Sequence, residues 1–197
     1  VHIESGDALP SDFSYTAELK PRDGAGSLGI ARIDGPGDFP DCGGRSMRLE
    51  TICRGAPASV AILCGPHGMV PLVGCRQHIE QGGSFAYRGG SLPLESSLGE
   101  RAVSLAESAV GALERPLGYV GVDMVLGHDP QGTQDVVIEI NPRITTSYVG
   151  LRALCECNLA AAMLAVAVGK QVELSWKAGP LQFEAAGHVS SANEVAV

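Results

Sequence analysis

Three polar side chains interrupt the apolar stretch "DVVIEINPRITTSYVGL" at residues 135–151: Glu139, Asn141 and, two places on, Arg143. A strand buried on both faces excludes such groups unless each has a partner, because an unpaired buried charge is too costly to keep. Strand side chains alternate, so Val137, Glu139 and Asn141 are expected on one face and Val136, Ile138 and Ile140 on the other. In "YVGVDMVL", just upstream, Val120, Val122 and Met124 alternate with Gly121, Asp123 and Val125, and the turn "GHDPQG" joins the two runs as a hairpin. A turn centred near residues 129–131 sets Asp123 beside positions 137–139. Asp123, Glu139 and Asn141 are then three oxygen donors on one surface. Two carboxylates that close repel each other unless a cation lies between them. Donors of this kind suit Mg²⁺, with Mn²⁺ as an alternative, because the ion needs only one or two protein carboxylates. The plainer alternative pairs Glu139 with Arg143 and leaves Asp123 to cap a turn.

Two weaker patterns lie upstream. In "LKPRDGAGSLGI", Lys20 closes a strand before Pro21, and Gly24, Ala25, Gly26 and Ser27 form a turn of small residues. Such a turn lets backbone N–H groups approach phosphate oxygens while a lysine supplies a point charge. The lysine precedes the glycines, so this is not a P-loop, and an ordinary glycine-rich β-turn explains it equally well. In "LETICRGAPASVAIL", an extended run of Leu49, Glu50, Thr51 and Ile52 precedes Gly55, a hinge that could offer backbone groups to an adenine edge.

The elements that must position these residues are mostly strands. "YTAELKP", "LGIARI", "SMRLETI", "ASVAILC", "MVPLVGCRQHIE" and "SFAYRGGSLPL" are separated by Gly- and Pro-bearing turns, among them the loop "DGPGDFPDCGG". Residues 98–114 place Leu98, Ala102, Leu105, Ala109 and Leu113 on one helical face. Residues 148–169 are expected to form a second helix, with a stripe of Leu151, Cys155, Leu159, Met163 and Val166 and Gly169 as C-cap. The tail after Trp176 is weakly patterned. Antiparallel sheet with a few helices implies an α+β fold.

Composition narrows the partners. The chain has 197 residues, 45% apolar and 18% charged, which suits one packed domain or two small lobes. A formal charge of −8 argues against a nucleic-acid surface, yet leaves room for a nucleotide held by a few cations and a metal. The most apolar run, "LAAAMLAVAVGK", falls short of the ~20 residues a membrane span needs, and no signal peptide is visible in "VHIESGDALPSDF". Cys42, Cys53, Cys64, Cys75, Cys155 and Cys157 show neither CxxC pairing nor zinc spacing, so free thiols in a cytoplasmic protein are expected. A catalytic thiol at Cys155 or Cys75 has no His/Asn constellation behind it. His67, His78 and His128 are expected at the surface or behind the site rather than on a metal.

The order of the three motifs resembles the ATP-grasp superfamily: a lysine strand with a Gly-rich turn, an extended segment with a glycine soon after, and a hairpin ending in "GVD…EINPR". The resemblance covers roughly residues 15–165. It implies two α+β lobes with mainly antiparallel sheets around a nucleotide cleft, here 1–48 as a partial N-terminal lobe and 49–197 as the C-terminal lobe. It further implies that Lys20 meets the α/β phosphates of ATP and that Gly24, Ala25, Gly26 and Ser27 cover them. Leu49, Glu50, Thr51 and Ile52 would line the adenine, and Asp123, Glu139 and Asn141 would hold Mg²⁺. "NPRITTSYVGL", with "CRQHI…FAYRGG" upstream, is similar more narrowly to the ATP-grasp ligases of methanofuran-type cofactor synthesis, the tyramine–glutamate ligase group. Two departures stand out. Ala56 and Pro57 occupy the neighbourhood where many members carry an acidic residue for the ribose. Only nineteen residues precede Lys20, none a lysine, so the N-terminal substrate domain and a further ATP-contacting lysine are expected to be missing from this chain.

The activity so implied is an ATP-dependent carboxylate–amine (or thiol) ligase working through an acyl phosphate. Lys20 and Mg²⁺ would offset charge on the transferred group, and Arg143 would neutralise the acyl phosphate or a developing oxyanion. Tyr87, Arg88, Ser147 and Tyr148 are candidates for the pocket of the carboxylate and amine substrates; for Ser147 a helix N-cap is the competing role. The rival readings are a non-catalytic ATP-binding module, a catalytically incomplete fragment, or a structural α+β domain. A homodimer is compatible with all of them.

Overall fold

The structure is a computed structural model and describes residues 2–3, 13–23, 29–35, 37–38, 40–80 and 85–191. Its contacts divide the chain into two units: Val1–Cys53 with Ile79–Tyr87, and Arg54–His78 with Arg88–Val197. A boundary at 48/49 would cut a strand, because Met47–Thr51 pairs along its whole length with Ala17–Pro21. The expected α+β class and antiparallel pairing are both present.

The first unit holds a four-stranded sheet of β1 (His2–Ile3), β2 (Ala17–Pro21), β3 (Ala31–Ile33) and β4 (Met47–Thr51) in the order β1-β4-β2-β3. Its pairings are antiparallel. Alternation sets its two faces: Ala17, Leu19, Ile33, Met47 and Leu49 form a buried core with Ile3 and Cys42, while Glu18, Lys20, Arg48 and Glu50 point the other way.

The second unit is built on an eight-stranded sheet. That sheet contains β5 (Ala56–Gly65), β6 (Gly68–Pro71), β7 (Cys75–Ile79), β8 (Tyr87–Leu92), β9 (Gly118–Leu126), β10 (Val136–Asn141), β11 (Leu181–Glu184) and β12 (Val189–Ser191); the terminal residues Ile79 and Tyr87 are counted with the first unit. The order is β10-β9-β5-β7-β8-β11-β12, with β6 on β5. "MVPLVGCRQHIE" is two strands rather than one, broken at Leu72–Gly74. The tail after Trp176, weakly patterned in sequence, forms the β11–β12 hairpin and adds to the sheet through β8, with Phe183 buried.

Helix α1 (Ser96–Gly111) covers one face of this sheet. Ala102, Ala106 and Val110 pack against Ala58, Val60, Ile62 and Cys64 of β5 and Val120, Val122, Met124 and Leu126 of β9. The small residues form the centre of the helical stripe and let the helix approach the strands; Leu98 and Leu105 flank it, and Leu113 lies beyond the helix, partly exposed. Helices α2 (Tyr148–Leu154) and α3 (Leu159–Ala167) replace the single helix expected over 148–169. The break falls at Cys155–Asn158, where Asn158 caps α3 by accepting from Ala161 N at 3.1 Å. Gly169 ends α3 in the left-handed region at φ +82. Helix α3 packs on β5 and β9 so closely that a Cβ on Gly65 would lie 2.1 Å from Val166 O. Among the described residues no helix is long and apolar enough to cross a membrane.

Candidate functional site

The site hairpin is β9–β10, and its geometry turns on one irregularity. Val137 stands opposite Met124, Glu139 opposite Asp123 and Asn141 opposite Gly121, so one extra residue, Ile138, is inserted between Val137 and Glu139. This β-bulge reverses the alternation. Val137 packs with Ile140 on the α1 core instead of sharing the face of Glu139 and Asn141, as strict alternation required. The bulge re-aims Glu139 and Asn141 onto the face of Asp123. On that face the register runs Cys75, Ser59, Asp123, Glu139 across β7, β5, β9 and β10.

The Asp123 carboxylate is held from two sides: Gln77 Nε2 donates to Oδ1 at 2.8 Å and Asn141 Nδ2 donates to Oδ2 at 3.0 Å. The same Asn141 nitrogen reaches Glu139 Oε2 at 3.4 Å, and Arg143 Nη2 donates to Asn141 Oδ1 at 2.9 Å. Arg143 therefore engages the amide, and the simple Glu139–Arg143 pair of the plainer reading is not what forms. Asp123 is pushed up to about 6, first by burial and then by the Glu139 charge, against the hydrogen bond from Gln77, the Arg143 charge and the hydrogen bond from Asn141. The cluster is thus short of positive charge. Its donors, two carboxylates and one amide, match what a hard divalent ion takes from a protein. Among the described residues no group of three His, Cys, Asp or Glu side chains gathers around a metal position. Any such ion would draw its remaining ligands from water and phosphate.

Beside the cluster, the chain turns through 142–147 under a hydroxyl network. Tyr119 and Thr145 hydroxyls lie 3.1 Å apart, Thr145 and Ser147 2.9 Å, and Tyr119 and Ser147 3.4 Å. Ser147 occupies the N-cap position of α2 but makes no capping bond; its buried hydroxyl belongs to this network. Tyr148 packs edge-on against Tyr119, with ring centroids 6.2 Å apart. Gly121 makes room for this turn, since a Cβ there would sit 2.5 Å from Thr145 Cγ2. Gln77, Ser59, Tyr119 and Thr145 were absent from the sequence expectation. A glycine in mid-strand opposite Asn141 was the available signal for Thr145; Gln77 needed the β7 register.

The remaining candidates lie elsewhere. Lys20, in the first unit, is paired with Glu50 and with Glu18 at 3.5 Å, and Glu50 also pairs with Arg48. Burial, ahead of the attraction of Lys20, raises Glu18 above the usual carboxylate range. Leu49 is fully buried in the first unit's core, so its side chain is committed there; Thr51 is exposed and Ile52 half-buried. Gly24, Ala25, Gly26 and Ser27 lie outside the described residues. Gly55 has φ +154, and a Cβ would meet Leu126 O at 2.2 Å, so the chain passes from β4 to β5 by a route only glycine permits. Tyr87 is half-buried and Arg88 exposed at the start of β8, and the division between the two units falls between them. All six cysteines are free thiols.

A family model described as an ATP-grasp domain matches residues 8–147. The chain belongs to the ATP-grasp family. It is 31% identical over 123 residues to a tyramine–L-glutamate ligase of Methanocaldococcus fervens, covering 62% of this chain and 39% of that protein. It is 30% identical over 142 residues to the corresponding ligase of Methanocaldococcus jannaschii, covering 69% and 42%. The chain thus spans about two fifths of the length of these curated relatives. Among solved structures, a carboxyaminoimidazole ribonucleotide synthase from Aspergillus clavatus complexed with ATP superposes with TM-score 0.73 at 18% identity, over 92% of this chain and 50% of that one. An ATP-grasp superfamily protein from Archaeoglobus fulgidus superposes with TM-score 0.62 at 25% identity, over 86% and 48%. The first of these likenesses speaks for the fold alone.

Proposed function

We propose that this ATP-grasp chain is the nucleotide- and metal-binding part of an ATP-dependent carboxylate–amine ligase that works through an acyl phosphate. The observation that carries this is the Asp123–Glu139–Asn141 row. Two carboxylates face each other across a bulged hairpin, short of positive charge, with a guanidinium two residues beyond. In this reading Asp123, Glu139 and Asn141 hold Mg²⁺, whose chemistry would be to neutralise phosphate oxygens during transfer. The Asn141 amide now turns its nitrogen to both carboxylates and its oxygen to Arg143. To serve as an oxygen donor it would turn over, and Arg143 would lose its present acceptor and be left for phosphate.

Lys20 would exchange Glu50 and Glu18 for the α/β phosphates, and the 24–27 turn would cover them with backbone N–H groups. Glu50, Thr51, Ile52 and the main chain at Leu49 would border the adenine. The substrate carboxylate takes the γ-phosphoryl group; the amine then attacks the acyl carbon and phosphate leaves. Arg143 would offset the charge of the acyl phosphate. Tyr87, Arg88 and Tyr148 would contact the acid or the amine, with buried Ser147 shaping the wall beneath them. The curated relatives make tyramine and L-glutamate the first pair to try, in keeping with a methanofuran-type cofactor pathway.

The test uses the full-length protein with ATP, Mg²⁺ and panels of acids and amines. ADP should form only when both substrates are present, and heavy oxygen from the labelled carboxylate should appear in the released phosphate. ADP formation without that label transfer would rule out the acyl phosphate. No ADP with any pair, together with no rise in melting temperature on adding ATP and Mg²⁺, would rule out the function.

A further inference from the structure

The break between α2 and α3 carries two thiols in contact. Cys155 Sγ lies 3.2 Å from Cys157 Sγ; Cys155 is buried and Cys157 exposed. The backbone around them is held on several sides. Cys155 N donates to Leu151 O at 2.9 Å, Glu156 N to Ser175 O at 3.0 Å and Lys177 N to Leu154 O at 2.9 Å. Cys155 also bridges antiparallel to Trp176, and Asn158 is committed to capping α3. Among the described residues the other four cysteines have no sulfur neighbour of this kind. Cys42, Cys53, Cys64 and Cys75 each direct Sγ at a backbone carbonyl, and all but Cys53 are buried. Nothing in the ligase reading uses the Cys155–Cys157 pair.

We propose that Cys155 and Cys157 form a redox-active dithiol, a modification site whose oxidant is a low-molecular-weight disulfide. The exposed Cys157, as thiolate, attacks one sulfur of that disulfide and releases the first small thiol. Cys155 then gives up its proton to solvent and attacks Cys157 Sγ, releasing the second small thiol. Two electrons and two protons pass from the protein pair to the small disulfide, and excess thiol reverses both steps. Exposure sets the order of attack, and burial, which raises the Cys155 thiol above its ordinary range, works in the same direction. A soft-metal site is the weaker use of this pair, because no third His, Cys, Asp or Glu ligand joins it among the described residues. Closing the bond draws the sulfurs from contact to about 2 Å and tightens the joint between the two helices.

The test incubates the full reduced chain with oxidised glutathione, alkylates the remaining thiols and maps the peptides by mass. Wild type should lose two alkylatable thiols together, with the new bond inside the 155–157 segment, and dithiothreitol should restore both. In Cys157→Ser, Cys155 should react at least about tenfold more slowly than the wild-type pair. Cys155→Ser should stop at a mixed disulfide on Cys157. A mixed disulfide that persists on wild-type Cys157, a bond between two molecules, reaction at Cys53 ahead of the pair, or no reaction would each overturn the proposal. The wild-type map decides this even if Cys155→Ser does not fold.

Discussion

On the four-stranded sheet Glu18 stands opposite Glu50 and Lys20 opposite Arg48, so two acids and two bases share one partly exposed face. On the β9–β10 hairpin Asp123 stands opposite Glu139, and the nearest cation, Arg143, is spent on an amide oxygen. Both faces are polar sides of antiparallel pairs whose other side is core. The first is electrically balanced, with Glu18, Lys20, Glu50 and Arg48 linked in one chain of ion pairs. The second is open: two carboxylates share two amide donors, and burial penalises the charge that remains. A balanced face gains little from an added ion, whereas two partly buried carboxylates opposite each other would gain from a cation.

The largest expected effect follows from that contrast. In the full-length enzyme, Glu139→Gln or Asp123→Asn should lower ADP formation by about 100-fold or more, because each removes a proposed metal donor. Either change should also abolish any rise in melting temperature caused by adding Mg²⁺ with ATP. Retained turnover in both variants would mean that the open face is a structural curiosity.

A structural break in the same hairpin comes next. Asp135, 7% exposed, pairs with Arg101 of α1 and accepts from Gly127 N at 2.8 Å, so it pins the 127–135 turn to the helix. Asp135→Ala leaves the Gly127 N–H without its acceptor and the half-buried Arg101 guanidinium with Gly127 O alone. Urea unfolding should register a loss of about 2–3 kcal/mol, most of it from the N–H left unpaired.

The open face should also show itself in pH. Asp123 holds its proton in the folded state up to about 6, whereas an unfolded aspartate loses it near 3.8. The folded protein therefore binds protons more tightly across that window. The stability from this group is fully present below the unfolded value and is lost as pH rises through about 6. With solvent screening of a half-buried side chain, the metal-free protein should lose up to roughly 2 kcal/mol between those limits. Asp123→Asn should reduce the slope, leaving the part that Glu18, also raised by burial, contributes in the same direction.

How much of this arrangement the residues announce depends on period and pairing. The hairpin was legible because two apolar runs, "GVDMVL" and "VVIEIN", flank a Gly- and Pro-bearing turn, whose position sets Asp123 beside residues 137–139; the exact opposition of Asp123 and Glu139 needs the bulge. The bulge at Ile138 was not legible: an inserted apolar residue in an apolar strand leaves no compositional mark, and only the shared core of Val137 and Ile140 reveals it. The α2–α3 break was hidden for a related reason. Leu151, Cys155 and Leu159 keep helical spacing across it, and the capping role of Asn158 outweighs that spacing. Gln77 reaches Asp123 from 46 positions away, and such a contact depends on strand order, which local pattern does not encode. The tail hairpin pairs through its backbone with β8 and buries only Phe183 deeply, so its alternation was too short to stand out.

A smaller effect probes what keeps the open face in register. Gly121→Ala brings a Cβ to 2.5 Å from Thr145 Cγ2, in the wall of the turn that carries Arg143. Overpacking of this size should cost about 1–3 kcal/mol. Adding Thr145→Ser removes the offending methyl while keeping the hydroxyl bonded to Tyr119 and Ser147, and should recover most of the loss. If the double variant is no better than the single, the strand conformation rather than Thr145 requires the glycine.

The smallest effect belongs to the balanced face and sets the scale for the others. Arg48 pairs with Glu50, but its side chain is 56% exposed and Glu50 keeps Lys20 as a second partner. Arg48→Ala should therefore change unfolding free energy by no more than about 0.5 kcal/mol, since exposed pairs return little and the remaining lysine takes up the charge. Salt should change the wild-type and variant values almost equally. A loss as large as that of Asp135→Ala would mean that the first unit's charges are as interdependent as those around the hairpin. Lys20 would then be a structural tie, and a phosphate could capture it only by destabilising the sheet that presents it.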